Sequence, residues 1–231
     1  DPLPSAPATG RDDVAGSVTA SGSASAARLF VDPRGSDAAP CTRQRPCAGL
    51  QRAYTLARPG GVVEVAAGRY PEQVVGPRRR GRGAARRVVV RPAPGARVRI
   101  QRLVLESGVA DIEFRGLAFP EGWIAGESDD GAPAENVVFR RTSGSRFSIE
   151  NARGVRVLGG SYGPSVDDTS QIKVANPGAA AEPTDILVEG VRFRDSTRST
   201  DDIHTECLQN SAGRRVTILS LIHISEPTRP N

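Results

Sequence analysis

The chain has 231 residues, a net charge of +5 and 38% apolar residues, enough for one domain with a sizeable core. Only 4% of the residues are aromatic and none is Met, so that core is built mainly of Val, Ile, Leu and Ala. No apolar run approaches membrane-spanning length, and no nucleic-acid fold signature accompanies the basic charge.

Residues 1–27 are Ala, Ser, Gly, Pro and Thr with scattered charge and almost nothing to bury, which predicts a flexible linker. On a chain that starts at Asp1 and has no Met, this linker is expected to follow a removed signal peptide, with a trimmed chain as the alternative. Cys41 and Cys47 enclose a short loop with no His or further Cys beside it for zinc, so a disulfide is expected, in keeping with an exported protein. Leu50, Ala53, Tyr54 and Ala57 fall at i, i+3, i+4 and i+7, predicting an amphipathic helix over roughly 47–58 that starts near Pro46 and stops at Pro59-Gly60. So short a helix is marginal alone, and it is expected to dock as a cap on the open end of the strand-rich domain. All the charge in the run Gly76–Arg87 is arginine, in a chain whose one lysine is Lys173. It reads as a solvated loop or as an attractor of acidic glycan; no interleaved aromatics argue for nucleic acid.

From residue 111 a strand phrase recurs: Asp111-Ile-Glu-Phe114, Asn136-Val-Val-Phe139, Gly154-Val-Arg-Val157, Asp185-Ile-Leu-Val188 and Arg215-Val-Thr-Ile218. Each is a polar residue or Gly followed by apolar residues at alternate positions, which share one strand face. The separations are 25, 18, 31 and 30 residues, the spacing of one coil with variable loops. A second phrase lies between the copies: Arg146-Phe-Ser-Ile149, Gln171-Ile-Lys-Val174 and Glu206-Cys-Leu-Gln209. Together they predict an all-β solenoid, a parallel β-helix, whose domain covers 28–218. Arg115, Arg140, Arg156 and Arg192 each sit beside an inward apolar residue and should point outward.

The segments Asp167–Asn176 and Asp201–Asn210 align without gaps at an offset of 34, both opening on Asp-Asp and closing on Asn. Stacked in that register, Asp167 would lie near Asp201, Ser170 near His204, Lys173 near Cys207 and Asn176 over Asn210. Asp167, Asp168, Asp201 and Asp202 brought so close repel one another and call for a cation, and calcium takes such oxygen ligands. The alternative is a solvated Asp-Asp turn. Trp123 reads as a sugar-stacking platform or a partly buried strand residue. Cys207 reads as a small core residue or as half of a bond whose partner lies beyond this chain.

Leu29-Phe-Val-Asp-Pro-Arg-Gly-Ser-Asp37, the Cys41–Cys47 loop, Leu50-Gln-Arg-Ala-Tyr54 and Pro59–Tyr70 come in an order that resembles the opening of secreted right-handed parallel β-helix proteins of the pectate-lyase-like superfamily. The resemblance covers roughly 28–218. It implies a right-handed helix with an N-terminal capping helix, an extracellular monomer without membrane span or nucleic-acid partner, and action on polysaccharide as a lyase or glycoside hydrolase. By that resemblance Lys173 or His204 is the base of a uronate β-elimination and Asp167, Asp168, Asp201 and Asp202 the calcium site, while Trp123 is the candidate substrate contact from its own chemistry. A non-catalytic cell-surface or glycan-binding protein is the alternative. Leu219–Asn231 resembles a translated sequencing adapter, so 219–231 is expected to be a non-native tail on a chain whose β-helix is truncated.

Overall fold

The computed structural model describes residues 28–78, 86–124, 131–164, 170–176, 178, 181–194 and 206–224. The 1–27 linker and residues 225–231 lie outside them. The chain enters through β1 (Arg28–Val31) and helix α1 (Leu50–Leu56). It then winds through β2 (Val62–Val65), β3 (Gly68–Tyr70) and β4 (Gln73–Val75), and through β5 (Val88–Pro92), β6 (Val98–Ile100) and β7 (Arg102–Leu105). Next come β8 (Ala110–Arg115) with β9 (Glu121–Ile124), β10 (Ala134–Gly144) with β11 (Arg146–Ile149), and β12 (Ala152–Arg153), β13 (Arg156–Tyr162) and β14 (Ser170–Val174). The last turns hold β15 (Thr184–Glu189), β16 (Arg192–Arg194) and β17 (Glu206–Asn210), then β18 (Arg214–Leu219) and β19 (Ile222–Ile224).

Every described pairing is parallel, and the chain is all-β with β-helix-like sheets. One face stacks β1, β2, β5, β8, β10, β13, β15 and β18. A separate six-stranded sheet runs β4-β7-β9-β11-β14-β17. A narrower ladder leads from β3 and β6 through Ala118 and Ser143 to the ends of β10 and β13, then β16 and β19. The five triplets stack in register: Phe114 faces Phe139, Phe139 faces Val157, Val157 faces Val188, and Val188 faces Ile218.

The polar residue before each triplet marks a corner. Asp111, Asn136, Gly154, Asp185 and Arg215 all take positive φ, at 57°, 55°, 67°, 59° and 50°. Five residues later in each turn a second corner repeats this at Gly116, Arg141, Gly159, Gly190 and Ser220, with φ of 61°, 52°, 64°, 64° and 52°. Gly, Asn and Asp bear this left-handed conformation at least cost, which is why they dominate both corners. The first corner is also laced together: Asn136 Nδ2 donates to Asp111 Oδ1 at 2.6 Å, and Arg87 Nε donates to the Asn136 carbonyl at 3.2 Å. Two turns further on, Arg215 clamps Asp185 at 2.5 and 2.8 Å.

Within a core built mainly of Val, Ile, Leu and Ala lies a column of rings. Phe139 packs on Phe114 at 5.3 Å, on Phe119 at 6.0 Å and on Phe147 at 4.5 Å between centroids. The inward position beside Phe147 is Gly122, where a Cβ would collide with that ring. Buried Tyr162 satisfies its hydroxyl on Thr142 at 2.8 Å. Its ionisation is pushed up by burial, against the partial offset of that hydrogen bond.

Helix α1 is shorter than the 47–58 expected, and buries Leu50, Ala53 and Tyr54 against β4 and β1. Its first turn is tied down by other elements: Asp37 Oδ1 accepts from the N–H groups of Ala48 (3.0 Å) and Gly49 (2.7 Å), and Gln73 Oε1 from Leu50 N–H (2.9 Å). Its far end meets Arg78, the first arginine of the basic run. Arg78 is not solvated but 6% exposed, donating to the Ala57 carbonyl at 2.8 Å and lying 4.5 Å over the Tyr54 ring. Cys41 and Cys47 form a disulfide, both fully buried. Cys207 lies half-buried on β17, packed against the core.

Candidate functional site

The outward face of the six-stranded sheet gathers the candidate residues that the structure describes. Successive strands put Val74, Val104, Trp123, Ser148, Lys173 and Gln209 in one outward column. A parallel column holds Arg102, Glu121 and Arg146. Inward neighbours Leu103, Leu105, Ile124, Phe147, Ile149, Ile172 and Val174 are buried, so alternation forces the intervening side chains out.

Trp123 is half-buried, with the Arg102 and Arg146 guanidiniums 5.5 and 5.6 Å from its ring centroid. Each arginine is held by a carboxylate, Arg102 by Glu72 at 3.4 Å and Arg146 by Glu121 at 2.9 Å. The indole N–H donates to Glu150 Oε1 at 2.8 Å, and Ser148 Oγ donates to the same oxygen at 2.6 Å. Glu150 is 4% exposed, and its other carboxylate oxygen has no hydrogen-bond partner among the described residues. The indole is thus held by cation–π contacts to its ring and by a hydrogen bond at its nitrogen edge. Lys173 is exposed two strands from Trp123, about 10 Å along the stack at one strand spacing per turn.

The structure brings Trp123 and Lys173 into one column, with Ser148 between them. Asp167, Asp168, Asp201, Asp202 and His204 lie outside the described residues, on the segments leading into β14 and β17. The register expected for those strands is corrected. Ser170 pairs with Glu206, Lys173 with Gln209 and Val174 with Asn210, an offset of 36 rather than 34, so Lys173 does not face Cys207. A shift of two keeps every side chain on its own face, so alternation alone could not choose between the registers. Packing does: buried Ile172 lies beside Leu208 instead of the charged Glu206. The third copy of the second phrase accordingly begins at Cys207, one residue later than expected. Asn176 and Asn210 do not stack; each accepts from a nearby backbone N–H, of Gly178 at 3.2 Å and Gly213 at 2.7 Å. Among the described residues no group of three or more His, Cys, Asp or Glu could hold a metal.

Sequence reasoning missed Arg102, Arg146, Ser148 and Glu150. Aligning the inward Leu103, Gly122, Phe147 and Ile172 would have placed the first three beside Trp123. Glu150 has no such signal, because it lies beyond the strand end and turns back to the indole. On the triplet face, outward Arg115 and Arg140 are exposed as expected, yet both pair with Glu113, at 2.6 and 3.0 Å. Burial raises the Glu113 pKa, but the two guanidiniums outweigh it and hold the carboxyl below the usual range.

No family model matches the chain, and no curated protein matches it. Among solved structures it is similar to a rhamnogalacturonan lyase, at 13% identity and a TM-score of 0.48, over 86% of this chain and 66% of that one.

Proposed function

We propose that this chain is a secreted, right-handed parallel β-helix protein that acts on or binds polysaccharide along its six-stranded sheet, with uronate β-elimination as the leading reaction. The right hand follows from the rule for crossovers between parallel strands of one sheet. The observation that carries the reading is Trp123, the chain's one tryptophan, outward between two guanidiniums and in column with Ser148 and Lys173. A fixed aromatic surface with polar groups strung along the stacking axis suits an extended chain of sugar rings. Arg102 and Arg146 suit its carboxylates, since guanidinium pairs with carboxylate through two parallel hydrogen bonds.

In such an elimination a base removes the proton at C5, beside the uronate carboxylate. The C–H electron pair forms the C4–C5 double bond, the C4–O bond breaks, and a proton returns to the leaving oxygen. Lys173 or His204 is the proposed base, with Arg102 and Arg146 facing the carboxylate as charge develops on it. Asp167, Asp168, Asp201 and Asp202 offer the hard oxygen ligands calcium prefers, and calcium bound there would neutralise the same carboxylate. An extracellular monomer is proposed: the chain has a disulfide, and no described helix is long and apolar enough to cross a membrane.

The test titrates polygalacturonate against Trp123 fluorescence and follows the ultraviolet absorbance of unsaturated products, with and without chelator. Product that disappears in Lys173→Ala or His204→Ala, and binding that disappears in Trp123→Ala, support the lyase reading. Fluorescence response without product selects the non-catalytic glycan-binding alternative. Silence in both signals across uronate and neutral polymers overturns the proposal.

A further inference from the structure

The second left-handed corner carries an unassigned groove. Gly159 and Gly190 occupy this corner in successive turns, and a Cβ on Gly159 would meet only the Arg141 side chain and the Gly190 carbonyl, at ordinary contact distance. Where Arg141 and Ser220 project side chains from this corner, these two glycines leave a furrow of about 410 Å³ bordered by Arg141, Ser143, Gly160, Ser161, Gly190 and Arg192. Gly160 keeps its floor low, since a Cβ there would strike the Thr142 carbonyl. Ser143, on the strand of Arg141, pairs with Ser161, and Ser161 with Arg192, so Ser161 lies on the turn between those of the two arginines.

Part of the arginine charge on the neighbouring strands is paired. Arg115 and Arg140 are neutralised by Glu113, and Arg91 by Glu64. Arg141 and Arg192 are exposed, and neither has an acidic partner among the described residues. They lie two turns apart, about 10 Å along the stack, too far for one carboxylate and suited to successive charges on a chain. Besides the arginines, the furrow offers hydroxyls, backbone and the apolar Ile222 at one edge, but no aromatic ring on which a nucleobase would stack.

We infer that this groove is a second glycan site, separate from the six-stranded sheet, that anchors the anionic groups of a polysaccharide, carboxylate or sulfate, between Arg141 and Arg192. It rests on the polysaccharide reading and extends it to an anchoring surface away from Trp123. The experiment measures binding of fluorescently labelled oligogalacturonate and of a labelled chondroitin sulfate oligosaccharide to the full chain. It uses Arg141→Ala/Arg192→Ala, Trp123→Ala, and a control pair, Arg45→Ala/Arg58→Ala, which removes equal exposed charge from the loops on either side of α1. The expected result is a loss of about tenfold in affinity for at least one anionic probe in the groove variant, with the control pair near wild type. Arg141→Lys/Arg192→Lys should retain part of that affinity. The probe that responds identifies carboxylate or sulfate as the recognised group. Equal losses in groove and control variants would reduce the effect to general charge and overturn the site. Loss confined to Trp123→Ala would overturn the groove while leaving the sheet reading intact, and wild-type protein that binds neither probe would overturn the groove outright.

Discussion

Phe139→Ala tests whether the ring column couples the turns. The side chain is fully buried, stacked on Phe114, edge-on to Phe119 and Phe147, and in register with Val157 on the next turn. Truncation removes three ring contacts and leaves a cavity between turns whose backbones are pinned by parallel ladders and cannot collapse. Large-to-small aromatic substitutions cost about 3–5 kcal/mol, and the poor relaxation here puts the expectation near 4 kcal/mol. In a domain of this size that lowers the melting temperature by roughly 8–16 °C. Far-UV circular dichroism reports the whole stack, while fluorescence of Trp123, one strand from Phe147, reports the turns beside the cavity. Turn-to-turn coupling predicts that the variant melts earlier by both probes, and that Phe139→Leu, which keeps most of the volume, loses less than half as much. A loss under about 1.5 kcal/mol, or leucine costing as much as alanine, would refute the claim that ring packing couples these turns.

Other outcomes rest on single features. Because the folded pKa of Glu113 is depressed, its contribution should be complete above the unfolded carboxylate range and fall away as pH drops below about 4–5. Melting profiles of wild type and Glu113→Gln should therefore converge in acid, and parallel curves would remove Glu113 from the account. Replacing Cys41 and Cys47 with serine should cost about 2–3 kcal/mol for so short a loop, seen as a shift in urea midpoint absent when wild type is already reduced. Gly159→Ala meets only backbone strain and should cost about 1–2 kcal/mol. Gly160→Ala also strikes the Thr142 carbonyl and should be clearly worse; similar costs would show that the corner backbone moves freely.

The repeat was legible because stacking imposes it locally. Each turn must present alternate apolar residues to the one below, and each corner must admit a left-handed residue, so Asp111, Asn136, Gly154 and Asp185 announce strands without any knowledge of the whole. The outward direction of Arg115, Arg140, Arg156 and Arg192 came from the same alternation. Register did not, because slipping β17 by two residues on β14 preserves every inward and outward assignment. Only the packing of Ile172 on Leu208 chose between the alternatives. The site was half legible for the same reason. Trp123 and Lys173 stood out as rare residues, but their shared column, the arginines beside the indole and the buried Glu150 beneath it come from stacking turns distant in sequence. Likewise Arg78 read as one charge in a solvated run, and only the docked helix, whose last carbonyls needed a donor, decided that it is buried. Alternation and corner conformation are properties of a few adjacent residues, whereas register, charge pairing and the surroundings of Trp123 depend on which turn lies above which.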